Sequence, residues 1–264
     1  MKIWSVANQK GGVGKTTTAV TLGGLCADEG SRTLLVDLDP HGSLTAYFGY
    51  DPESVETSVY SLFQLEQVNA AGILSITRKT SHDNLRLLPA STALATLDRQ
   101  LGAKDGMGLI VARSLNALAG DFDHVFIDCP PMLGVLMVNA LAACDRLVIP
   151  VQTEFLAIKG LERMLHTLTM IEKARRLKVP YIIVPTMFDR RTRASLDSLR
   201  LMRERFPEHL WHSVIPVDTR FRDASLAGQP LGQLLPESRG AQAYKVLQEE
   251  LLGKSQAPER VVAL

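Results

Sequence analysis

The stretch NQKGGVGKTT, residues 8–17, places three glycines and two lysines where a chain can wrap an anion. Gly11, Gly12 and Gly14 allow the backbone to turn so that successive N–H groups point inward around a phosphate chain. Lys15 stands at the spacing that reaches the β- and γ-phosphates, and the Thr16 hydroxyl is placed for magnesium; Val13 and Thr17 complete the cradle. Two departures from the usual phosphate loop stand out. Gln9 occupies the position of its first glycine, and a second lysine, Lys10, follows directly.

Carboxylates occur where such a loop needs them. Asp128 ends the apolar run HVFID, the place of the aspartate that holds magnesium, usually through water, in loop NTPases. Asp37 and Asp39 end TLLVDLDP, near where a γ-phosphate would lie. An aspartate at a strand–loop junction often serves only the turn, so the assignment rests on the combination with the glycine loop. The residues thus predict catalytic roles for Lys15, Asp37 and Asp39 and a metal shell of Thr16, Asp39 and Asp128, and leave the role of Lys10 open. They do not separate Asp37 from Asp39.

These side chains must be positioned by a sheet. KIWSVAN (2–8), RTLLVDLD (32–39), LRLLPA (85–90), HVFIDCP (124–130), RLVIPVQ (145–151), YIIVPTMF (181–188) and HSVIP (212–216) read as strands buried on both faces. Between them lie helical patterns at about 15–29, 106–119, 132–143, 156–177, 194–206 and 239–252. The alternation predicts an α/β fold, a doubly wound, mostly parallel sheet with helices on both faces. The glycine loop then sits at the carboxyl end of the first strand. Residues 51–84 read as a short-helix excursion over the surface. In ASLDSLRLMRERF the spacing assigns Leu196, Leu199, Met202 and Phe206 to the core and turns Arg200 and Arg203 to solvent.

The 264 residues suit one large domain, predicted as 1–252 with a short tail over 253–264. The net charge of +1 argues neither for a strongly basic nucleic-acid binder nor for an acidic tail. The balance is uneven: residues 1–158 hold 11 Lys/Arg against 16 Asp/Glu, net −5, and residues 159–264 hold 18 against 12, net +6. An anionic partner surface is therefore expected in the second half. Cys26, Cys129 and Cys144 lack metal-ligand spacing and read as buried thiols in a reducing cytoplasm. No run reaches membrane-span length, and no signal peptide is visible.

KGGVGKTT, VDLDPHGS and FIDCPPMLGVLMVNALAACDRLVIPVQTEFLAIKGL closely resemble the ParA/MinD family of ATPases with a deviant Walker A loop. VANQKGGVGKTTT and VDLDPHGS…YFGYDP most resemble its orphan ParA-like, ParC-type members from chemotaxis operons. The resemblance spans Lys2 to about Leu251. It implies ATP and Mg2+ as cofactors and an ATP-dependent homodimer in which Lys10 crosses to the partner's phosphates. Hydrolysis then acts as a timer, with Asp39 orienting water and Asp37 supporting the loop or the metal shell. It places adenine against PTMFDRR and IPVDTRFRDAS, with Met187, Pro216 and Asp218 as candidates.

The resemblance also implies a cargo, here polar chemotaxis arrays, reached through a protein adaptor and a pole anchor. The alternative is chromosome or plasmid partition with a ParB-like partner. Nonspecific DNA binding would use Arg190, Arg191, Arg193, Arg220 and Arg222, although IPVD stands where many partition ATPases have the basic IPRN. Membrane docking is not expected, because the last helix sets Glu249 and Glu250 beside its apolar residues and breaks at Gly253 and Pro258. A nitrogenase-iron-protein relative would need paired cluster cysteines, and an amide synthetase additional substrate residues. The loop begins at residue 8, which leaves no room for an amino-terminal helix-turn-helix domain. The expected location is cytoplasmic, at a pole or on the nucleoid.

Overall fold

The computed structural model describes residues 1–65, 69–97, 107–175 and 178–254. The strands are β1 (Lys2–Val6), β2 (Thr33–Asp37), β3 (Arg78–Lys79), β4 (Leu85–Leu88), β5 (His124–Asp128), β6 (Arg146–Gln152) and β7 (Tyr181–Thr186). They form one sheet in the order β3-β4-β2-β5-β1-β6-β7, parallel throughout except for β3. β1 lies between β5 and β6, so the chain leaves β1 for one side of the sheet and leaves β5 for the other. That reversal opens a crevice at the strand carboxyl ends, where α/β sheets bind ligands.

The helices are α1 (Lys15–Asp28), α2 (Ser43–Tyr47), α3 (Val59–Leu62), α4 (Ala70–Ile76), α5 (Ile110–Ala117), α6 (Val135–Ala143), α7 (Phe155–Arg175), α8 (Arg193–Arg205), α9 (Arg220–Ala227), α10 (Leu231–Leu234) and α11 (Arg239–Leu251). Strand residues alternate between two cores, one on each face of the sheet. Ile3, Leu34, Val36, Val125, Ile127 and Ile149 face the side covered by α3 to α7. Trp4, Val6, Leu35, Phe126, Val148 and Val184 face α1 and α11, where Trp4 stacks on Phe126 at 4.9 Å. Double burial explains why the strands read as continuous apolar runs.

Three expectations need correction. HSVIP is not a strand: residues 209–217 follow β7 with two isolated bridges, Ile183 to Leu210 and Phe188 to Pro216. Pro216 has no N–H with which to extend a ladder. Among the described residues of 51–84 the expected short helices form, but they are not only a surface excursion, since Val59, Leu62, Ile73 and Ile76 are buried in the core. Leu196 is 39% exposed and outside the apolar stripe, whereas Leu199 and Met202 are buried. Position 106, residues 176–177 and the tail from 255 lie outside the described residues.

Candidate phosphate and magnesium site

The loop after β1 is built from its own backbone. Asn8 anchors it, donating from Nδ2 to the Pro150 carbonyl at 2.8 Å and accepting from the Lys10 N–H at 2.9 Å. Gly12 and Gly14 adopt φ of 73° and 93°, the left-handed region open to glycine, and Gly14 caps the start of α1. Val13 is buried, and its carbonyl accepts from the Thr186 hydroxyl at 2.9 Å, tying the loop to the end of β7. The loop therefore presents N–H groups at the positive end of a fourteen-residue helix, the arrangement that binds phosphate.

Lys15 is 9% exposed and donates to the Lys10 carbonyl at 3.4 Å. Thr16 donates to Asp128 Oδ2 at 2.6 Å, while the other oxygen, Oδ1, is buried without a partner. Lys10 points elsewhere: its ammonium pairs with Glu154 of its own chain, just before α7.

The carboxylates divide by environment. Asp37 and Asp128 are register partners on adjacent strands and are both buried. Burial pushes the Asp37 carboxyl well above the usual carboxylate range, against the pull of its hydrogen bonds. Burial, then the charge of Asp37, raises Asp128 in the same direction, with Thr16 and Lys15 opposing. Asp37 is saturated with local donors: Thr45 N–H at 2.8 Å, Thr45 hydroxyl at 2.7 Å and Asp39 N–H at 3.1 Å. Asp39 stands further out, with Oδ1 accepting from the His41 N–H at 3.0 Å.

These features fit a magnesium nucleotide. An orphaned buried carboxylate oxygen beside a threonine hydroxyl, and two crowded acids, call for a cation. No cluster of three or more His, Cys, Asp or Glu able to hold a metal occurs among the described residues. A magnesium site here would therefore draw ligands from Thr16 and from phosphate oxygens, as phosphate-loop sites do.

The structure brings together Gly11 to Thr17, Asp37, Asp39 and Asp128. Met187 and Pro216 lie on neighbouring segments, with the Phe188 N–H donating to the Ile215 carbonyl at 3.0 Å and the Val217 N–H to the Phe188 carbonyl at 3.1 Å. Met187 holds φ 52°, left-handed for a residue with a side chain, and is 40% exposed. Asp218 accepts from the Arg220 and Gly240 N–H groups at 3.1 and 3.0 Å, so its carboxylate is already engaged by the first turns of two helices.

The five arginines are exposed but not equivalent. Arg191 makes a two-pronged pair with Asp189 at 2.9 and 2.8 Å, and Arg193 lies 3.5 Å from Asp197. Arg190, Arg220 and Arg222 have no ion pair among the described residues. The apolar side of α11 is used internally, with Tyr244, Leu247 and Leu251 in the core. No described helix is long and apolar enough to cross a membrane. The three cysteines are free, and burial raises each thiol above its ordinary value.

Sequence reasoning missed Glu154, Thr45 and His41 as partners of the site. Glu154 stands two residues beyond a strand end, a position that does draw attention; nothing in the residue pattern marks Thr45 as the donor to Asp37.

Comparison with known proteins agrees with this geometry. The profile of a family described as AAA domain matches residues 1–180. The chain is 37% identical over 252 residues to the sporulation initiation inhibitor protein Soj of Bacillus subtilis, covering 95% of this chain and 98% of that one. It is 33% identical to the chromosome partitioning protein ParA of Caulobacter vibrioides, covering 96% and 95%. Among solved structures, a protein described as cobyrinic acid a,c-diamide synthase from Mycobacterium smegmatis, with bound ATP analogue and magnesium, superposes with a TM-score of 0.82. It is 33% identical, over 98% of both chains. An ATP complex of McdA from Cyanothece shares the fold at a TM-score of 0.83, with 24% identity over 98% and 99% of the two chains.

Proposed function

Since this chain belongs to the ParA family of ATPases, we propose that it is a nucleotide-switched positioning protein, a monomer that closes into an ATP-sandwich dimer and uses hydrolysis as the timer of that state. The observation that carries the reading is the orphaned Asp128 Oδ1 beside Thr16, at the mouth of the left-handed glycine loop. Bound ATP and magnesium supply the charge that this pocket is built to receive and the bond that is broken. The N–H groups of Gly11 to Thr17 and the Lys15 ammonium would hold the phosphates, and Thr16 and Asp128 would hold the metal.

Asp39 orients the attacking water. Asp37 has a different task in this reading: with its acceptors taken by Thr45 and Asp39 N–H, it fixes the loop that carries Asp39. Met187, Pro216 and Asp218 line the base, Asp218 mainly by fixing the backbone around it. Lys10 serves the partner subunit, neutralising phosphate charge that a single lysine leaves exposed, and must leave Glu154 to do so.

The cargo assigned is the polar chemotaxis apparatus, through an adaptor and a pole anchor, on the strength of VDLDPHGS and YFGYDP. A second reading, chromosome or plasmid partition with a ParB-like partner, is favoured by relatives named as chromosome partitioning proteins that align with nearly the whole chain. The likeness to the protein described as a diamide synthase does not redirect either reading, because relatives of similar identity and coverage are named for partition and sporulation control. Deleting the gene separates the two. Scattered chemoreceptor clusters with normal DNA content support the first reading, and cells lacking DNA with normal clusters support the second. A deletion that disturbs neither clusters nor DNA content overturns both.

A further inference from the structure

The turn after β2 carries a side chain, His41, whose ring contacts Asp39. His41 exposes 80% of its side chain, yet its ring is not free: Nδ1 lies 2.9 Å from Asp39 Oδ1. The His41 backbone N–H donates to the same oxygen at 3.0 Å. The turn is fixed from beneath. Gly42 donates its N–H to the Asp39 carbonyl at 2.8 Å and adopts φ 63°. A Cβ on Gly42 would fall 2.2 Å from Pro52 Cγ, so this close approach admits only glycine.

Asp39 is therefore gripped on one side. Oδ1 faces both His41 donors, while Oδ2 makes no hydrogen bond among the described residues. The Asp39 side chain is only 14% exposed, so its free oxygen is not simply dissolved in bulk water. The last torsion of an aspartate is soft, and a single donor leaves the carboxylate room to rotate. A second donor, from a ring carried on a backbone that the turn holds in place, restricts that freedom.

We propose that His41 is a positioning residue for Asp39, its ring Nδ1–H holding Oδ1 so that Oδ2 is the oxygen presented to the reacting water. This rests on the reading of Asp39 as the group that orients water. The neutral ring suffices, with its proton on the nitrogen that faces the carboxylate. Asparagine can replace it, because its Nδ2 stands the same number of bonds from the backbone as the histidine Nδ1 and also donates; alanine cannot.

The test is steady-state ATP turnover of the full chain for the parent, Asp39→Ala, His41→Ala and His41→Asn, with ATP-dependent dimerisation measured on the same preparations. His41→Ala is expected to lower kcat about tenfold, with KM for ATP and dimer formation unchanged. His41→Asn is expected to return to within about twofold of the parent. If Asp39→Ala turns over like the parent, the reading of Asp39 falls and the role of His41 with it. If Asp39→Ala is inactive but His41→Ala keeps the parent kcat, or His41→Asn is as slow as His41→Ala, the reading of Asp39 stands and the assignment of His41 is overturned.

Discussion

Asp128 gives one carboxylate oxygen to the Thr16 hydroxyl at 2.6 Å and keeps the other buried with no partner. A buried acceptor without a donor is costly, and a cation is what the pair lacks. Asp128→Asn should therefore abolish the gain in ATP affinity that magnesium brings, weakening magnesium-dependent binding by about tenfold or more. Calorimetric titration with and without magnesium checks this. Equal gains in parent and variant would remove Asp128 from the metal shell.

The Lys10–Glu154 pair competes with any reach of Lys10 across a dimer. Its members are partly exposed, 28% and 41%, so the contact is worth about 0.5–1 kcal/mol rather than the value of a buried pair. Glu154→Gln should let dimers form at about two- to fivefold lower ATP concentration. Light scattering across an ATP series reads the shift, and a move to higher ATP would mean that Glu154 supports the dimer itself.

Asp37 sets a pH dependence in the nucleotide-free protein. Its folded pKa, raised by burial to about 7 from an ordinary 3.8, means that the folded chain keeps a proton that the unfolded chain has already released. The unfolded state then binds fewer protons, so this group's stabilising contribution is full below about pH 4 and is lost as pH rises toward 7, by up to about 1.4 kcal/mol per unit. Denaturant unfolding between pH 5 and 7 should show a steeper decline for the parent than for Asp37→Asn. Parallel curves would contradict it.

For DNA, the arginines divide by their intramolecular partners. Arg220 and Arg222 are unpaired among the described residues, whereas Arg191 is neutralised by Asp189. Salt-dependent binding to nonspecific duplex DNA should weaken severalfold in Arg220→Ala or Arg222→Ala, with the salt slope shallower by about 1 for each arginine that no longer meets a phosphate. Arg191→Ala should change it far less. The reverse ranking would place the DNA surface elsewhere.

Much of the site is legible in the sequence, because backbone chemistry marks it. Glycine spacing, Lys15 and Thr16 declare a phosphate loop, and apolar runs ending in Asp37 and Asp128 declare strands that deliver acids to one edge. What stays hidden depends on contacts distant in sequence or too short for a period. Arg78–Lys79 is a two-residue edge strand, and Leu210 to Pro216 follows β7 without forming a ladder. Thr45 meets Asp37 only because α2 folds back toward the end of β2, and the different surroundings of two aspartates two residues apart follow from that contact.

If triphosphate makes the dimer, the mass of the protein in solution must follow the nucleotide. The direct measurement is that mass, by light scattering, for Asp39→Ala, Lys10→Ala and Lys15→Ala with magnesium and either ATP or ADP. Asp39→Ala is expected to be a dimer with ATP and a monomer with ADP. Lys10→Ala should bind ATP yet remain monomeric, and Lys15→Ala should bind neither nucleotide well. A mass independent of nucleotide, or an ATP dimer that forms equally well without Lys10, would contradict the ATP-sandwich dimer.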